Sequence, residues 1–177
     1  MIKAIIKLVA TLNSKRGVGE IAGGAAFGLL LALVPAGNLI WAVLLLLTWF
    51  LKVNFAVEML VLAVLKLVLP LVDPLLDSLG WAVLTLQPLQ RPFAALYNAP
   101  LAPFTRFNNT IVMGGLLAGI VLWTPAYLLF RRLVRLYRER AKPRIEASKA
   151  YKWFRKLPLI ESLLKAAARS SGLGSGG

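Results

Sequence analysis

The sequence has 177 residues, and 59% of them are hydrophobic, whereas about half is usual for a soluble domain. It contains no cysteine and no histidine, which excludes disulfides, thiol or imidazole catalysis and zinc sites built from those side chains. The net charge of +14 is concentrated at the two ends, because residues 21–130 carry four basic and three acidic residues while residues 131–177 carry thirteen basic and three acidic ones. This distribution is typical of a membrane protein with both termini in the cytoplasm, and not of a nucleic-acid-binding protein.

Residues 1–17 predict an amphipathic helix that lies on the cytoplasmic face of the membrane. Apolar residues recur there at helical spacing, with Lys3 and Lys7 on the other side. Lys7 also interrupts the continuous apolar stretch that a signal peptide would need.

Residues 18–52 predict a helical hairpin in the membrane, with its hinge at Pro35 and Gly37. The first arm, residues 18–34, is about 25 Å long, and the second arm, residues 39–51, is shorter. A full crossing needs about 20 residues. Two short spans and one re-entrant hairpin therefore both remain open.

Small residues spaced four apart predict close packing between the first arm and a later span, residues 108–130. Such residues allow two helix backbones to approach each other in lipid. We expect Gly24 and Gly28 in the first arm to meet Gly115 and Gly119 in the later span, and Gly19/Gly23 is a second small-residue pair suited to helix packing.

A third span is predicted over residues 54–69, and it contains Glu58 and Lys66. These two residues are about 12 Å apart along a helix and cannot pair directly. Charged side chains within a membrane indicate a functional site, but both also lie near the ends of this span and can extend to its surfaces. Residues 79–104 predict an interfacial or re-entrant segment on the outer face.

Several polar residues lie next to helix breaks and are candidates for lining a polar pocket. The alternative is that the asparagines bond backbone groups that the breaks leave free. No catalytic constellation accompanies them. The candidates are Asn38, Asn54, Glu58, Lys66, Asn98, Arg106, Asn108 and Asn109.

Residues 131–169 predict a basic, amphipathic cytoplasmic tail that contacts anionic lipid and does not bind nucleic acid. Residues 170–177 form a glycine–serine linker outside the predicted domains. The side chains expected to contact lipid are Lys149, Lys152, Arg155 and Lys156.

The order of motifs from residue 10 to residue 140 resembles a family of small bacterial inner-membrane proteins, the domain of unknown function numbered two thousand and sixty-two. The stretches LKVN at residues 51–54, YNAP at residues 97–100 and TRFNNTIVMGG at residues 105–115 carry the resemblance. Asp73 stands where many members have asparagine. The resemblance implies a Gram-negative envelope setting and a large periplasmic, lipid-handling partner.

The predicted fold is all-α: a polytopic membrane domain over residues 18–130 with about four membrane helices, flanked by basic amphipathic helices. We expect a non-enzymatic inner-membrane subunit that anchors or feeds an envelope lipid-trafficking assembly. The alternative is a small carrier or channel whose polar path is lined by asparagines, Glu58 and Lys66. No cofactor or metal is expected, membrane lipids are expected partners, and the oligomeric state, including a homo-oligomer, stays open.

Overall fold

The computed structural model describes residues 17–141 and residue 143, and the secondary structure of these residues is helical, without strands. A 3₁₀ turn, Leu69–Leu71, joins α3 to α4, and a π-helical turn, Tyr137–Ala141, follows α7. The helices are α1 Val18–Leu33, α2 Leu39–Phe50, α3 Phe55–Val68, α4 Asp73–Leu84, α5 Gln87–Tyr97, α6 Ala102–Thr105 and α7 Thr110–Leu136.

The chain divides into two compact units, residues 19–131 and a second unit that contains both ends of the sequence. The first unit includes nearly all of α1, the whole of α2 to α6 and most of α7. Most of the predicted N-terminal helix and the tail beyond residue 143 lie outside the described residues.

Helix α1 is the centre of the first unit. Twelve of its sixteen residues are buried, and its apolar and small side chains surround the whole helix. A helix without a polar face is stable only when other elements cover all its sides. Neighbouring helices, α3 and α7 among them, therefore cover the sides of α1.

Helix α3 runs parallel to α1 along most of its length. At the start of α3, the backbone amide of Asn54 donates to the carbonyl of Glu20, with a nitrogen–oxygen distance of 2.9 Å. At its other end, the Lys66 Nζ donates to the carbonyl of Val34 at 3.3 Å. The two helices thus begin and end at the same levels.

Helix α7 runs antiparallel to α1 on another side. Gly115, near the start of α7, lies against the backbone of Leu33 at the end of α1. Further along α7, the ring of Trp123 contacts Phe27 edge-on, with 5.4 Å between the ring centroids. This order of contacts confirms that the glycine-rich first arm and the later span pack together.

The predicted residue pairing within this contact is wrong, because the two sets of glycines do not meet. Gly24 and Gly28 face α3, where an added Cβ would overlap the backbone carbonyls of Asn54 and Glu58. Gly115 and Gly119 instead face leucine residues of α1. Helix α1 therefore approaches α3 through Gly24 and Gly28, and α7 approaches α1 through its own glycines.

The other small-residue pair of the first arm, Gly19/Gly23, was predicted to serve helix packing. A Cβ on Gly23 would lie 2.9 Å from Cγ1 of Val53, a residue in the short segment between α2 and α3. Gly19 does face α7, but its neighbour there is the Tyr127 hydroxyl and not a glycine. The two residues are four apart on one helix, yet they contact different parts of the fold.

Helix α2 folds back from the hinge predicted at Pro35 and Gly37. Gly37 has a φ of +87°, a left-handed conformation that favours glycine. Since Asn54 lies beside Glu20, the chain has returned to the start of α1 by the end of α2. The helical hairpin is therefore present, although Thr48 is the one buried residue of α2.

Helices α3 and α4 are bent by 78° at the 3₁₀ turn, and α4 then crosses α7 at very short range. A Cβ on Gly80 would overlap the Thr110 carbonyl, and a Cβ on Gly114 would overlap the Leu76 carbonyl. The Thr110 hydroxyl also donates to the carboxylate of Asp77 at this crossing. The segment predicted as interfacial, residues 79–104, consists of the end of α4 followed by α5 and α6.

Helix length and composition identify one helix in the described part of the chain that can cross a membrane. This is Thr110–Arg140, with 31 residues. Phe55–Leu71 and Asp73–Leu84 are long and apolar enough to cross only when they are taken together as one bent span. Only 28% of the apolar window in the long helix is buried, unlike the core helix of a soluble protein. Helices α1 and α2, with 16 and 12 residues, are shorter than the roughly 20 residues that a full crossing needs. The arrangement with four membrane helices therefore stays a prediction.

Candidate functional site

A buried glutamate lies where the first three helices meet. Glu58, in the first turn of α3, has 0% of its surface exposed. Neither of its carboxylate oxygens has a hydrogen-bond partner among the described residues. The interpretation in which Glu58 extends to the membrane surface is therefore wrong. The side chain is enclosed because the Gly28 backbone lies directly against α3 at this level.

Two further buried polar residues lie next to Glu58. Thr48, on α2, is 2% exposed and interacts with the carboxyl group, but its hydroxyl donates its hydrogen to the Leu45 carbonyl at 2.7 Å. Asn54, also 2% exposed, caps α3 by accepting the amide of Val57 on its side-chain oxygen at 3.3 Å. The Glu58 carboxyl group is thus enclosed beside polar atoms that do not donate to it.

A second polar cluster surrounds the other end of α1 and has an evident structural purpose. Pro35 has no amide hydrogen, so the carbonyl of Leu31 loses its usual helical donor. The indole Nε1 of Trp41 replaces that donor at 3.1 Å. The Lys66 Nζ likewise donates to the carbonyl of Val34, directly after α1, so this lysine bonds the end of a neighbouring helix.

The asparagines at the helix breaks mainly bond backbone groups. Asn38 accepts the amide of Trp41 at 2.9 Å and donates to the Pro35 carbonyl at 2.6 Å. Asn109 accepts the amide of Val112 at 3.0 Å, and the exposed Asn98 donates to the Ala94 carbonyl at 3.0 Å. The asparagines therefore bond backbone groups at the helix ends, which is the alternative to lining a polar pocket.

The remaining candidates lie at separate surface positions. Arg106 is exposed and has a φ of +53° where α6 ends. Asn108 is exposed and lines a depression of about 270 Å³ beside Phe93 and Tyr97. A larger depression, about 600 Å³, contains Asn38 and lies between α2 and α6. Glu58 lines neither depression.

The arrangement separates the candidate residues into two groups along α1. Asn54 lies near its start and Glu58 beside Gly28 further along, whereas Asn38 and Lys66 lie at its end. Within the described residues, no group of three or more carboxylates is placed to hold a metal ion. The feature with unexplained chemistry is therefore the Glu58 carboxyl group and its neighbour Thr48.

Sequence analysis missed three residues with a clear structural role, Trp41, Thr48 and Gly80. Trp41 could have been found, because Pro35 frees a carbonyl and an indole lies six residues later. Thr48 is the single hydroxyl in an otherwise apolar helix, which is a usable signal. Gly80 is a glycine inside a helix, which costs stability unless close packing requires it.

Together, the fold and site define a small all-helical protein with a long apolar helix and a buried, unpartnered carboxyl group. The family described as "Uncharacterized protein conserved in bacteria (DUF2062)" matches residues 2–142, so the chain belongs to this family and the resemblance is confirmed. A protein of Treponema pallidum (strain Nichols), also described as uncharacterized, is 36% identical over 161 residues, covering 91% of this chain and 99% of that protein. No solved structure matches the chain.

Proposed function

We propose that this protein is a non-enzymatic, multi-pass subunit of the bacterial inner membrane that anchors or feeds an envelope lipid-trafficking assembly. In this proposal both termini lie in the cytoplasm. The observation that carries it is the large apolar surface of the first unit. Trp49, Phe50, Leu67 and Leu71 are between 74% and 81% exposed, and water is a poor solvent for such a surface.

The use of polar residues supports an anchor in preference to an open channel. Asn38, Asn54 and Asn109 cap helices, and Lys66 bonds the end of α1, so these groups are engaged in holding the helices together. A water-filled path would need polar groups that face a common space. The described cavities are instead open surface depressions.

The partners in this proposal are membrane lipids and a large periplasmic protein that handles lipid. The anionic-lipid contact expected of Lys149, Lys152, Arg155 and Lys156 lies outside the described residues and stays a prediction. Its support is the concentration of thirteen basic residues in the last 47 residues of the chain.

A small carrier is the second candidate function, and one observation favours it. Glu58 is buried in the first unit without a hydrogen-bond partner in the part of the chain that the structure describes, and ionisable residues of this kind mark ion or substrate pathways in membrane proteins. Under this alternative, Glu58→Gln should abolish transport while the fold is kept, because only the ability to carry charge is removed.

The two functions are separated by extracting the full-length protein with its surrounding lipid and identifying bound proteins by mass spectrometry. The anchor proposal expects a large periplasmic protein, itself carrying lipid, in near-stoichiometric amount. The same preparation is reconstituted into liposomes to measure solute flux. Flux in the wild type that disappears in Glu58→Gln, with no protein partner retained, would contradict the anchor proposal and support the carrier.

A further inference from the structure

The hydrogen bonds of Thr48 indicate which kind of ligand could bind beside the Glu58 carboxyl group. A hydroxyl has one hydrogen to donate and two lone pairs that accept. The hydrogen of Thr48 is used in the bond to the Leu45 carbonyl. While that bond is made, the Thr48 hydroxyl presents a lone pair to Glu58, so this oxygen and an ionised carboxylate are both acceptors.

The charges around Glu58 do not compensate for a buried carboxylate. On α1, Glu20 lies one turn before Gly24, at the level where α3 begins. Lys52 precedes α3 on an exposed stretch of backbone, and Lys66 is bonded to Val34 at the far end of the helix pair. Among the described residues, no cation forms an ion pair with Glu58. An uncompensated buried charge is strongly unfavourable.

Backbone contacts keep this site closed. Gly24 and Gly28 allow α1 to lie directly on the carbonyl groups of Asn54 and Glu58, and the Asn54 amide bonds α1. In this arrangement the Glu58 side chain is 0% exposed between α1, α2 and α3, so its carboxyl group has no contact with solvent. If it is to be ionised there, it needs a bound cation to compensate its charge.

We propose that Glu58 and Thr48 form a binding site for a monovalent cation, either a proton or an alkali ion such as sodium. A protonated carboxyl group would donate a hydrogen bond to the free lone pair of the Thr48 hydroxyl and would keep its proton. A sodium ion would be held by the same carboxylate and hydroxyl oxygens, because a hard cation takes oxygen ligands and the carboxylate supplies the compensating charge. A divalent ion is a poor fit because the site contains a single carboxylate. The proposal does not depend on whether the protein anchors or transports.

Thermal unfolding of the full-length protein in detergent tests this site through ligand linkage, because a ligand that binds only the folded state raises Tm. In the proton arm, measured in choline chloride, we expect the wild-type Tm to fall as the pH rises from about 5 to about 8, since an unfolded glutamate is ionised throughout that range. In the sodium arm, replacing choline by sodium at constant ionic strength should raise Tm by roughly 3–6 °C per tenfold increase in concentration once the site is saturated.

Two variants decide the outcome. Glu58→Gln keeps the shape of the side chain and removes its charge. The Tm of this variant should therefore no longer depend on pH or on sodium concentration in the way that the wild-type Tm does. Glu139→Gln makes the same change at an exposed position and should keep the wild-type dependence. If the wild type and Glu58→Gln respond identically to pH and to sodium, the proposed site does not exist.

Thr48→Val keeps the test decisive if Glu58→Gln fails to fold. The substitution preserves side-chain volume and removes the hydroxyl oxygen that contacts the bound cation. We expect the response to pH or to sodium to become weaker than in the wild type. A Thr48→Val protein with the full wild-type response in both arms would overturn the assignment of Thr48 and Glu58 as one site.

Discussion

Pro35 leaves the Leu31 carbonyl without its helical donor, and a single side chain compensates for this loss. The indole of Trp41, in the first turn of the next helix, donates to that carbonyl. The bond also ties the two arms of the hairpin together on either side of the hinge. One residue thus satisfies a backbone group and fixes the angle at which the chain folds back.

Trp41→Phe tests this role with little change in shape. A buried carbonyl left without a donor costs about 1–3 kcal/mol, so we expect the free energy of unfolding to fall by that amount. For a protein of this length, this is a drop in Tm of roughly 2–4 °C per kcal/mol, measured by thermal unfolding in detergent.

Trp49→Phe is the matched control for this prediction. Trp49 is on the same helix and is 74% exposed, so its indole faces outwards rather than towards a backbone carbonyl of α1. We expect its replacement to leave Tm nearly unchanged. Equal losses in the two variants would mean that the Trp41 indole bond contributes nothing.

The residues at helix breaks were largely predictable from sequence because their effects are local. Proline removes an amide hydrogen, and asparagine before a helix caps it, whatever surrounds them. The burial of Glu58 was not predictable in this way. Its position near the end of a span suggested access to the surface, but the glycines of α1 and the return of α2 enclose it.

At the scale of elements, glycines lie where two helices approach each other most closely. Helix α4 crosses α7 at Gly80 and Gly114, where each glycine lies against a backbone carbonyl of the other helix. Glycine spacing predicted that such contacts exist, but not which element makes each contact, as Gly23 against Val53 also illustrates. A small residue shows only that some other group comes close, and the partner depends on how all the helices are arranged.

Gly114→Ala should disrupt the crossing of α4 and α7. The new methyl group would overlap the Leu76 carbonyl, a backbone atom that cannot move by changing rotamer. Overpacking of this kind costs about 1–3 kcal/mol, which exceeds the roughly 1 kcal/mol that alanine gains over glycine in a helix. We expect a lower Tm in detergent.

Gly19→Ala is the control for the helix crossing. A Cβ at Gly19 would lie 3.2 Å from the Tyr127 hydroxyl, the outer end of a side chain that can move away. We expect Tm to stay equal or to rise slightly. If Gly114→Ala were as stable as Gly19→Ala, the two helices would not cross at this glycine.

At the scale of the whole molecule, the first unit combines a buried central helix with an apolar exterior. Helix α1 is covered by α3 and α7, while many large apolar side chains of the other helices face outwards. The basic residues are concentrated beyond this unit, at both ends of the sequence. In a membrane, these two properties together predict that the ends of the chain remain on the cytoplasmic side.

Cysteine labelling in intact cells tests this central claim most directly, and the sequence already lacks cysteine, so each introduced thiol is unique. We expect cysteines at Ser14 and Ser148 to react with an impermeant thiol reagent only after the cells are broken open. A cysteine at Ser78, which is exposed on α4, should react in intact cells. Labelling at Ser148 in intact cells, or protection at Ser78, would contradict the proposed membrane orientation.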